Sequence, residues 1–198
     1  MTRVYLSLVS RYDGRVEKLE EGLPEAVLTH CNKRVGQARQ ASLLGWNILL
    51  LLMEKAGKET SSLTISCNED GKPSIPGFEF NISHSGDIVA VAISTSEVGV
   101  DIEKEEERDY DALEKRYLGP KETEIYQKSE DKAHTFLTLW TKKEAFHKHV
   151  GDGIHLDMIK RDVPYGEIYT IDVSDAEGKK YVLSVDCIDN EKVQVDVL

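Results

Sequence analysis

The sequence predicts an α+β fold in two halves, and three observations predict it. Apolar residues recur at roughly helical spacing within residues 24–56, and segments typical of strands lie on both sides. A second helical segment, Asp131–His149, precedes a tail from Glu167 to Leu198 that alternates apolar and polar residues. No low-complexity segment or flexible linker interrupts the chain. We therefore take residues 1–97 and 98–198 as the two halves and expect a cleft where they meet.

The elements of the N-terminal half follow from spacing and turn chemistry. Residues 24–56 form one long helix or two short ones, and Gly57 is a plausible stop. Asn68–Pro73 has the composition of a turn. The expected strands are Arg3–Val9, Ser62–Cys67, Phe78–Ser83 and Asp87–Ser94, the last two flanking a tight turn over Ser83–Gly86.

The C-terminal half begins with a strand, Val98–Glu103, and continues with helices. Asp109 is a good N-cap for a helix that ends at Tyr117, and Gly119-Pro120 places proline at the first position of the next helix. Two glycines end the long helix, and two turns divide the tail into three antiparallel strands. The glycines that end the helix are Gly151 and Gly153, and the turns that divide the tail are Asp175–Gly178 and Asp189-Asn190.

Composition excludes several classes of protein. Among 198 residues, 40% are hydrophobic and 31% charged, a globular balance. The longest aliphatic run, Ile48–Met53, is far too short to cross a membrane, and the N-terminus does not read as a signal peptide, so we expect a cytoplasmic protein with no membrane partner. Three scattered cysteines indicate neither a disulfide framework nor a zinc site.

Net charge is −11 and unevenly distributed. Residues 1–97 carry 10 Lys+Arg against 12 Asp+Glu, a net of −2, and residues 98–198 carry 15 against 24, a net of −9. This balance argues against nucleic acid as a partner. An anionic ligand would be better received by the N-terminal half.

The strand Val98–Glu103 places two carboxylates on one face. Side chains alternate across a strand, so Asp101 and Glu103 point the same way as Gly99, whose missing side chain leaves room for a ligand. Two carboxylates at this spacing repel unless a cation lies between them, and oxygen ligands suit a hard ion such as Mg²⁺. The alternative is an exposed strand edge that is simply acidic.

The long helix of the second half carries a further charged group. Trp140, Glu144 and Lys148 are spaced i, i+4 and i+8 and share a face, with Lys143 toward a neighbouring face. Beside a partly buried tryptophan, a carboxylate and lysines suit a site for metal-bound phosphate. The alternative is a surface ion pair worth about 0.3–0.5 kcal/mol.

Small polar residues occupy Asn81–Gly86, between two apolar strands. Serine and histidine donors with turn amides suit a phosphate, although a capped hairpin turn with a surface histidine explains the segment better when it is taken alone. The chain has no Walker A and no G-x-G-x-x-G motif, so a phosphate ligand must be held in another way.

These segments, in this order, resemble the 4′-phosphopantetheinyl transferases of the Sfp type. The family's G-[IV]-D-[IV]-E strand and W-[ST]-x-K-E-[AS]-x-x-K helix match Gly99–Glu103 and Trp140–Lys148. Its G-K-P and F-N-[IL]-S-H-S segments match Gly71–Pro73 and Phe80–Ser85, and Arg116–Glu122 resembles its R-F-[FL]…E segment. The resemblance covers about residues 71–153.

The resemblance implies two similar, pseudo-symmetric α+β halves with coenzyme A in the cleft between them. It implies that Asp101, Glu103 and Glu144 bind Mg²⁺ with the pyrophosphate of the coenzyme. The remaining residues would hold the coenzyme: Lys148 and Lys143 at its phosphates, Ser83 and His84 at the 3′-phosphate, Gly71, Lys72 and Pro73 along the adenosine, and basic residues of the N-terminal helix, with Lys33, Arg34 and Arg39 as candidates.

The implied reaction is attack of a carrier-protein serine on the β-phosphate of coenzyme A, with 3′,5′-ADP leaving. Mg²⁺ and Lys148 would neutralise the charge that builds on the pyrophosphate. A carboxylate bound to Mg²⁺ is a poorer base, so Glu144 either takes the serine proton or orients a metal-bound water, and Glu122 is the other candidate.

Two other functions remain open at this point. One is a Mg²⁺-dependent hydrolase of coenzyme A or nucleotide pyrophosphates, and the other is a coenzyme A-binding module without catalysis. For the transferase, we expect an acyl or peptidyl carrier to dock at the helix Asp109–Tyr117, and a pseudo-dimeric chain to be a monomer. The expected docking residues are Leu113, Lys115, Arg116, Tyr117 and Leu118.

Overall fold

The computed structural model describes residues 1–61, 63–152, 160–163, 168–187 and 192–198. The α+β class predicted from the sequence is confirmed. The N-terminal half contains one 3₁₀ turn, Val9–Tyr12, and the elements β1 (Thr2–Leu8), α1 (Val16–Glu20), α2 (Glu25–Cys31), α3 (Gly36–Lys55), β2 (Ser66–Cys67), β3 (Pro73–Ser74), β4 (Glu79–Ser85) and β5 (Ile88–Ser94). The helical segment 24–56 is therefore two helices.

The C-terminal half follows the predicted order. Its elements are β6 (Val98–Lys104), α4 (Tyr110–Tyr117), α5 (Pro120–Lys128), α6 (Lys132–Val150), β7 (Tyr169–Ser174), β8 (Lys180–Cys187) and β9 (Val193–Val197). Asp109 caps α4 by accepting a hydrogen bond from the amide of Ala112, and Gly151 ends α6 in the left-handed conformation, as predicted. Gly153, Ser62 and the expected turn at Asp189-Asn190 lie outside the described residues.

The first sheet has the strand order β4-β5-β1-β9, and α3 packs on one of its faces. Strands β4, β5 and β1 are antiparallel, whereas β9 runs parallel to β1. The prediction of three antiparallel strands in the tail is therefore wrong for its last strand. Only β7 and β8 pair with each other, and β9 crosses to the sheet of the N-terminal half.

The second sheet has the order β6-β8-β7, and α6 lies against it. Val98, Val100 and Ile102 point away from α6 into a core that they share with residues of β1 and β5, such as Val4 and Ala90. The two sheets thus bury one common apolar layer. The opposite face of β6 is turned toward α6, and this is the face that carries Asp101 and Glu103.

Side chains, rather than a backbone ladder, join β4 to β6. The backbone amides of Val100, Ile102 and Lys104 donate to the side-chain oxygens of three alternate residues of β4, at distances of 2.9, 3.4 and 3.1 Å. These three residues are Asn81, Ser83 and Ser85. Alternation along a strand places all three on one side, where they satisfy the amides of β6.

The connection between β4 and β6 shows that one prediction is wrong. Ser83 and His84 belong to the strand β4 and not to a turn, and the reversal of the chain occurs at Gly86 and Asp87, with Gly86 at φ +52°. The polarity of the segment suggested a turn. Its polar side chains serve instead to connect the two sheets, which brings the motif of β4 against the carboxylates of β6.

No helix in the described part of the chain combines the length and apolar content that a membrane-spanning segment needs.

Candidate active site

Asp101 lies at the centre of the candidate site, with its side chain almost fully buried between β4, β6 and α6. One carboxylate oxygen, Oδ1, accepts from the Ser83 hydroxyl at 2.8 Å and from the Lys148 ammonium at 2.6 Å. The other oxygen, Oδ2, is buried and has no hydrogen-bond partner among the described residues. A buried carboxylate oxygen without a partner is costly in a fold and indicates a place for a positively charged ligand.

Two further carboxylates face Asp101. Glu103 accepts a hydrogen bond from the Ser85 hydroxyl at 2.9 Å, and burial together with Asp101 raises the pKa of Glu103. Glu144 projects from α6, and its pKa is raised to about 7 by burial and by Asp101. Because the ionised forms of Glu103 and Glu144 are disfavoured beside Asp101, a cation would stabilise this cluster.

Lys148, one turn after Glu144 on α6, supplies positive charge to this cluster. Its ammonium reaches Asp101 and Ser83, and its side chain keeps 30% of its surface exposed. Burial alone would lower the pKa of Lys148, but Asp101 and Glu144 outweigh burial and raise it. The shared helix face of Glu144 and Lys148 predicted from their spacing therefore points at the carboxylates of β6.

The chemistry of this cluster fits a hard divalent cation. The donors are carboxylate and hydroxyl oxygens, which Mg²⁺ prefers, and Oδ2 of Asp101 lacks a partner. As arranged, the described residues include no group of three ligating side chains already placed to hold a metal ion. The Lys148 ammonium, in contact with Asp101, is the positive charge that this conformation provides.

A pocket of about 250 Å³ opens beside this cluster. It brings the Gly71-Lys72-Pro73 turn, β4 and α6 together. The residues around it are Asp70, Gly71, Lys72, Pro73, Asn81, Ile82, Glu144, His147, Lys148 and Gly151.

Lys72 fixes the turn of this pocket to the end of α6. Its ammonium donates to the carbonyl of His149 at 3.0 Å, and the Asn68 side-chain amide donates to the carbonyl of Gly151 at 2.5 Å. The last carbonyls of a helix lack partners within the helix, and a cation at this end also interacts favourably with the helix dipole. Lys72 therefore holds the wall of the pocket in place against the helix that carries Glu144.

His84, near the end of β4, lies within range of two positive charges. Burial lowers the pKa of half-buried His84, and the charges of Arg34 and Lys148 lower it further. Of the basic residues considered in the N-terminal half, Arg34 is thus the one whose charge acts on His84. The guanidinium of Arg39 instead forms an ion pair with Glu20.

The structure does not bring Lys143 and Glu122 to the pocket. Both side chains are fully buried, and the Lys143 ammonium donates to the Glu122 carboxylate at 2.6 Å and to the Tyr117 carbonyl at 3.0 Å. Glu122 also accepts from the amide of Gly119 at the start of α5. A phosphate contact by Lys143 and proton transfer by Glu122 are therefore not supported, because neither residue lines the pocket.

His147 is a pocket residue that the sequence analysis missed. Its ring is 4% exposed, Nδ1 lies 2.8 Å from the Asp152 carboxylate, and the residue lines the pocket next to Lys148. The available signal was its position three residues after Glu144, which places both on neighbouring parts of one helix surface.

The raised pKa of Glu144 predicts a measurable pH effect on stability in the metal-free protein. Between about pH 4.5 and 7 the folded protein retains a proton that the unfolded chain releases, so Glu144 lowers stability as pH rises through this range. Glu144→Gln should therefore raise the free energy of unfolding above pH 7 and flatten its fall between pH 4.5 and 7. Urea unfolding in the presence of EDTA, at several pH values in this range, measures the free energy of unfolding. Exposed Glu124→Gln is the control. An unchanged slope would contradict the prediction.

Comparison with known proteins shows which family the chain is similar to. Residues 97–190 match the family model of the 4′-phosphopantetheinyl transferase superfamily. A putative 4′-phosphopantetheinyl transferase of Haemophilus influenzae is 35% identical over 131 residues, which cover 62% of this chain and 56% of that protein. A 4′-phosphopantetheinyl transferase of Bacillus subtilis is 33% identical over 123 residues, covering 59% and 54% respectively.

The Sfp protein itself is among these relatives. The 4′-phosphopantetheinyl transferase Sfp of Bacillus subtilis strain 168 is 33% identical over 104 residues, which cover 50% of this chain and 46% of Sfp. The resemblance predicted from the four motifs is confirmed. The chain spans about half the length of the curated relatives it matches.

Proposed function

We propose that this protein transfers the 4′-phosphopantetheine group of coenzyme A to a serine of an acyl or peptidyl carrier protein. The observation that carries the proposal is the placement of Asp101, Glu144 and Lys148 beside a pocket whose wall is the Gly71–Pro73 turn. Anionic and cationic groups meet there within a confined space. This combination suits a ligand with a pyrophosphate and a nucleoside.

In the proposed mechanism, the serine oxygen of the carrier forms a bond to the β-phosphorus of coenzyme A, and the bond from that phosphorus to 3′,5′-ADP breaks. Asp101, Glu103 and Glu144 would hold Mg²⁺, which supplies charge neutralisation on the pyrophosphate. Lys148 would contact the same phosphates and stabilise the leaving group. His84, with Arg34 near it, would receive the 3′-phosphate. Ser83 would not share this role, because its buried hydroxyl is bound to Asp101.

Glu144 is the proposed acceptor of the serine proton. The residue lines the pocket, so its carboxylate is placed to take a proton from a serine that enters there. Glu122, the other candidate, is fully buried in an ion pair with Lys143, and this burial favours Glu144. The N-terminal half would thus bind the coenzyme and the C-terminal half would carry the metal and the catalytic groups, in a cytoplasmic monomer.

Intact-mass spectrometry of apo carrier proteins tests this function directly. Incubation with the protein, coenzyme A and MgCl₂ should add one phosphopantetheine to a carrier, and EDTA should prevent the addition. Consumption of coenzyme A without modification of any carrier would instead favour the pyrophosphate hydrolase. Binding of coenzyme A without any turnover across a broad panel of carriers would favour a binding module.

Glu144→Gln should lower kcat by roughly 100-fold or more, because a general base contributes on the order of 10²–10⁴. The Michaelis constant for coenzyme A should change much less, since the amide retains the shape of the side chain. Initial rates of carrier modification at saturating MgCl₂ measure both, with Glu124→Gln as the matched surface control. Full activity in Glu144→Gln would exclude the proposed role.

The expected docking surface for the carrier needs one correction. Leu118 is 4% exposed and packs in the core with Tyr110 and Tyr126, so it cannot contact a partner. Leu113 and Tyr117 are half-buried and remain available, and the Arg116 guanidinium lies over the Tyr117 ring. We propose that the carrier docks on this part of α4.

Leu113→Glu tests the docking surface. It should raise the Michaelis constant for the carrier several-fold by placing a charge in an apolar contact, while the affinity for coenzyme A stays the same. Steady-state rates with varied carrier, together with calorimetry of coenzyme A, separate the two effects. An unchanged Michaelis constant for the carrier would remove α4 from the interface.

A further inference from the structure

Two side chains hold the same oxygen of Asp101, and they differ in how easily they can leave it. The Ser83 hydroxyl donates to Oδ1 at 2.8 Å, and the Lys148 ammonium lies 2.6 Å from the same atom. The second oxygen, Oδ2, is buried without a partner. A cation entering between Asp101 and Glu144 would meet the Lys148 ammonium already at this carboxylate.

The Lys148 side chain can move away from Asp101. Its side chain is long, it keeps 30% of its surface exposed, and it lines the open pocket. A flexible four-carbon chain can withdraw its ammonium toward the pocket without any change in the backbone. No comparable freedom exists for a side chain as short as serine.

The Ser83 side chain is held in place by burial and by hydrogen bonds. It is 6% exposed in the middle of β4, and its oxygen accepts from the backbone amide of Ile102 at 3.4 Å while its hydroxyl donates to Asp101. The hydroxyl therefore connects the carboxylate to the joint between the two sheets. A hydrogen bond from outside the ligand set commonly fixes the orientation of a metal-binding carboxylate.

We infer that Lys148 takes the place of the divalent cation at Asp101 in the unloaded protein and is displaced when the cation binds, whereas Ser83 is a positioning residue that orients Asp101 throughout. The inference rests on the metal site of the proposed function. It adds that cation binding releases the Lys148 ammonium into the pocket, where a phosphate can receive it. Binding of cation and phosphate would then support each other.

The two roles predict opposite effects on the affinity for Mg²⁺ measured without coenzyme A. When a competing group occupies the site in most molecules, the apparent dissociation constant rises by the inverse of the competent fraction, so Lys148→Met should tighten Mg²⁺ binding roughly tenfold. Ser83→Ala should weaken it by about tenfold or more, the usual effect of losing a hydrogen bond that orients a ligand. Lys148→Arg keeps the competing cation and should leave the affinity close to that of the parent protein.

Isothermal titration with MgCl₂ and the rise in melting temperature on adding MgCl₂ measure these affinities independently of activity. Exposed Lys128→Met and Ser174→Ala are the matched controls and should leave both quantities unchanged. Lys148→Gln serves as a second neutral variant in case Lys148→Met does not fold. In Lys148→Gln, the buried carboxylates no longer have a positive charge beside them. The melting temperature of this variant should therefore respond more strongly to MgCl₂ than that of the parent protein.

Weaker or unchanged Mg²⁺ binding in both neutral Lys148 variants would overturn the exchange, and an unchanged affinity in Ser83→Ala would overturn the positioning role. Absence of binding in every variant would overturn both. Failure of the proposed function is separate and would appear as unmodified carrier in the mass-spectrometric assay, whatever the order of these affinities.

Discussion

Gly99→Ala should destabilise the protein by about 3 kcal/mol or more, a large effect for a single methyl group. An added Cβ would lie 1.9 Å from the carbonyl oxygen of Ala145 and 2.4 Å from the amide nitrogen of His149. Both atoms belong to the backbone of α6 and cannot rotate away. The helix must therefore move off β6 as a body, and it carries Glu144 and Lys148 with it.

Gly14→Ala is the informative control for this experiment. Gly14 has a φ of +67° but no atom within 4 Å of an added Cβ, so alanine there meets only backbone strain of about 1–2 kcal/mol. Urea unfolding of both variants separates steric displacement from conformational strain. Equal losses in the two variants would show that α6 does not lie against Gly99 as the structure has it.

The Gly99→Ala molecules that still fold should also lose the proposed transferase activity, beyond the loss that follows from the smaller folded fraction. A shift of α6 changes the distance between Glu144 and Asp101, on which the site depends. Activity per folded molecule, measured below the unfolding transition, is the relevant quantity. Normal activity per folded molecule would show that the contact between β6 and α6 does not set the geometry of the site.

The alternation of Val98–Glu103 was sufficient to predict which side chains share a face, because period two is a local property of any strand. The reason that residue 99 is a glycine was not predictable from that pattern. The sequence suggested that the glycine leaves room for a ligand, whereas the structure fills that space with the backbone of α6. A glycine in a strand signals a close approach, but the pattern does not say what approaches.

Other failures have the same origin in long-range pairing. The alternating residues of β9 satisfy a parallel or an antiparallel neighbour equally, so local sequence could not reveal that this strand joins β1. Ser83 and His84 have the composition of a turn, and only the presence of β6 beside them makes a polar strand favourable. Helix boundaries at Asp109, Pro120 and Gly151 were predictable because caps act within a few residues.

Breaking the buried ion pair between Lys143 and Glu122 is the second change that we expect to lower stability strongly. Lys143→Met should lower the free energy of unfolding by about 3–5 kcal/mol, because it leaves the Glu122 carboxylate enclosed without its partner. Burial already raises the pKa of Glu122 against the opposing effect of Lys143, so the carboxylate depends on this contact to remain charged. Glu122→Gln should lose less, since its amide oxygen still accepts from Gly119 and Lys143 keeps the Tyr117 carbonyl.

The double variant Lys143→Met, Glu122→Gln decides between a structural pair and two functional residues. If the pair is structural, the double variant should recover most of the stability lost in Lys143→Met, since removing both charges of a buried pair is often close to neutral. It should then retain carrier modification with a nearly unchanged Michaelis constant for coenzyme A. Urea unfolding and steady-state rates measure the two properties, with exposed Lys121→Met as the control. Restored stability with a large loss of kcat would instead return Glu122 or Lys143 to the reaction and would require the interior around α5 to open when substrate binds.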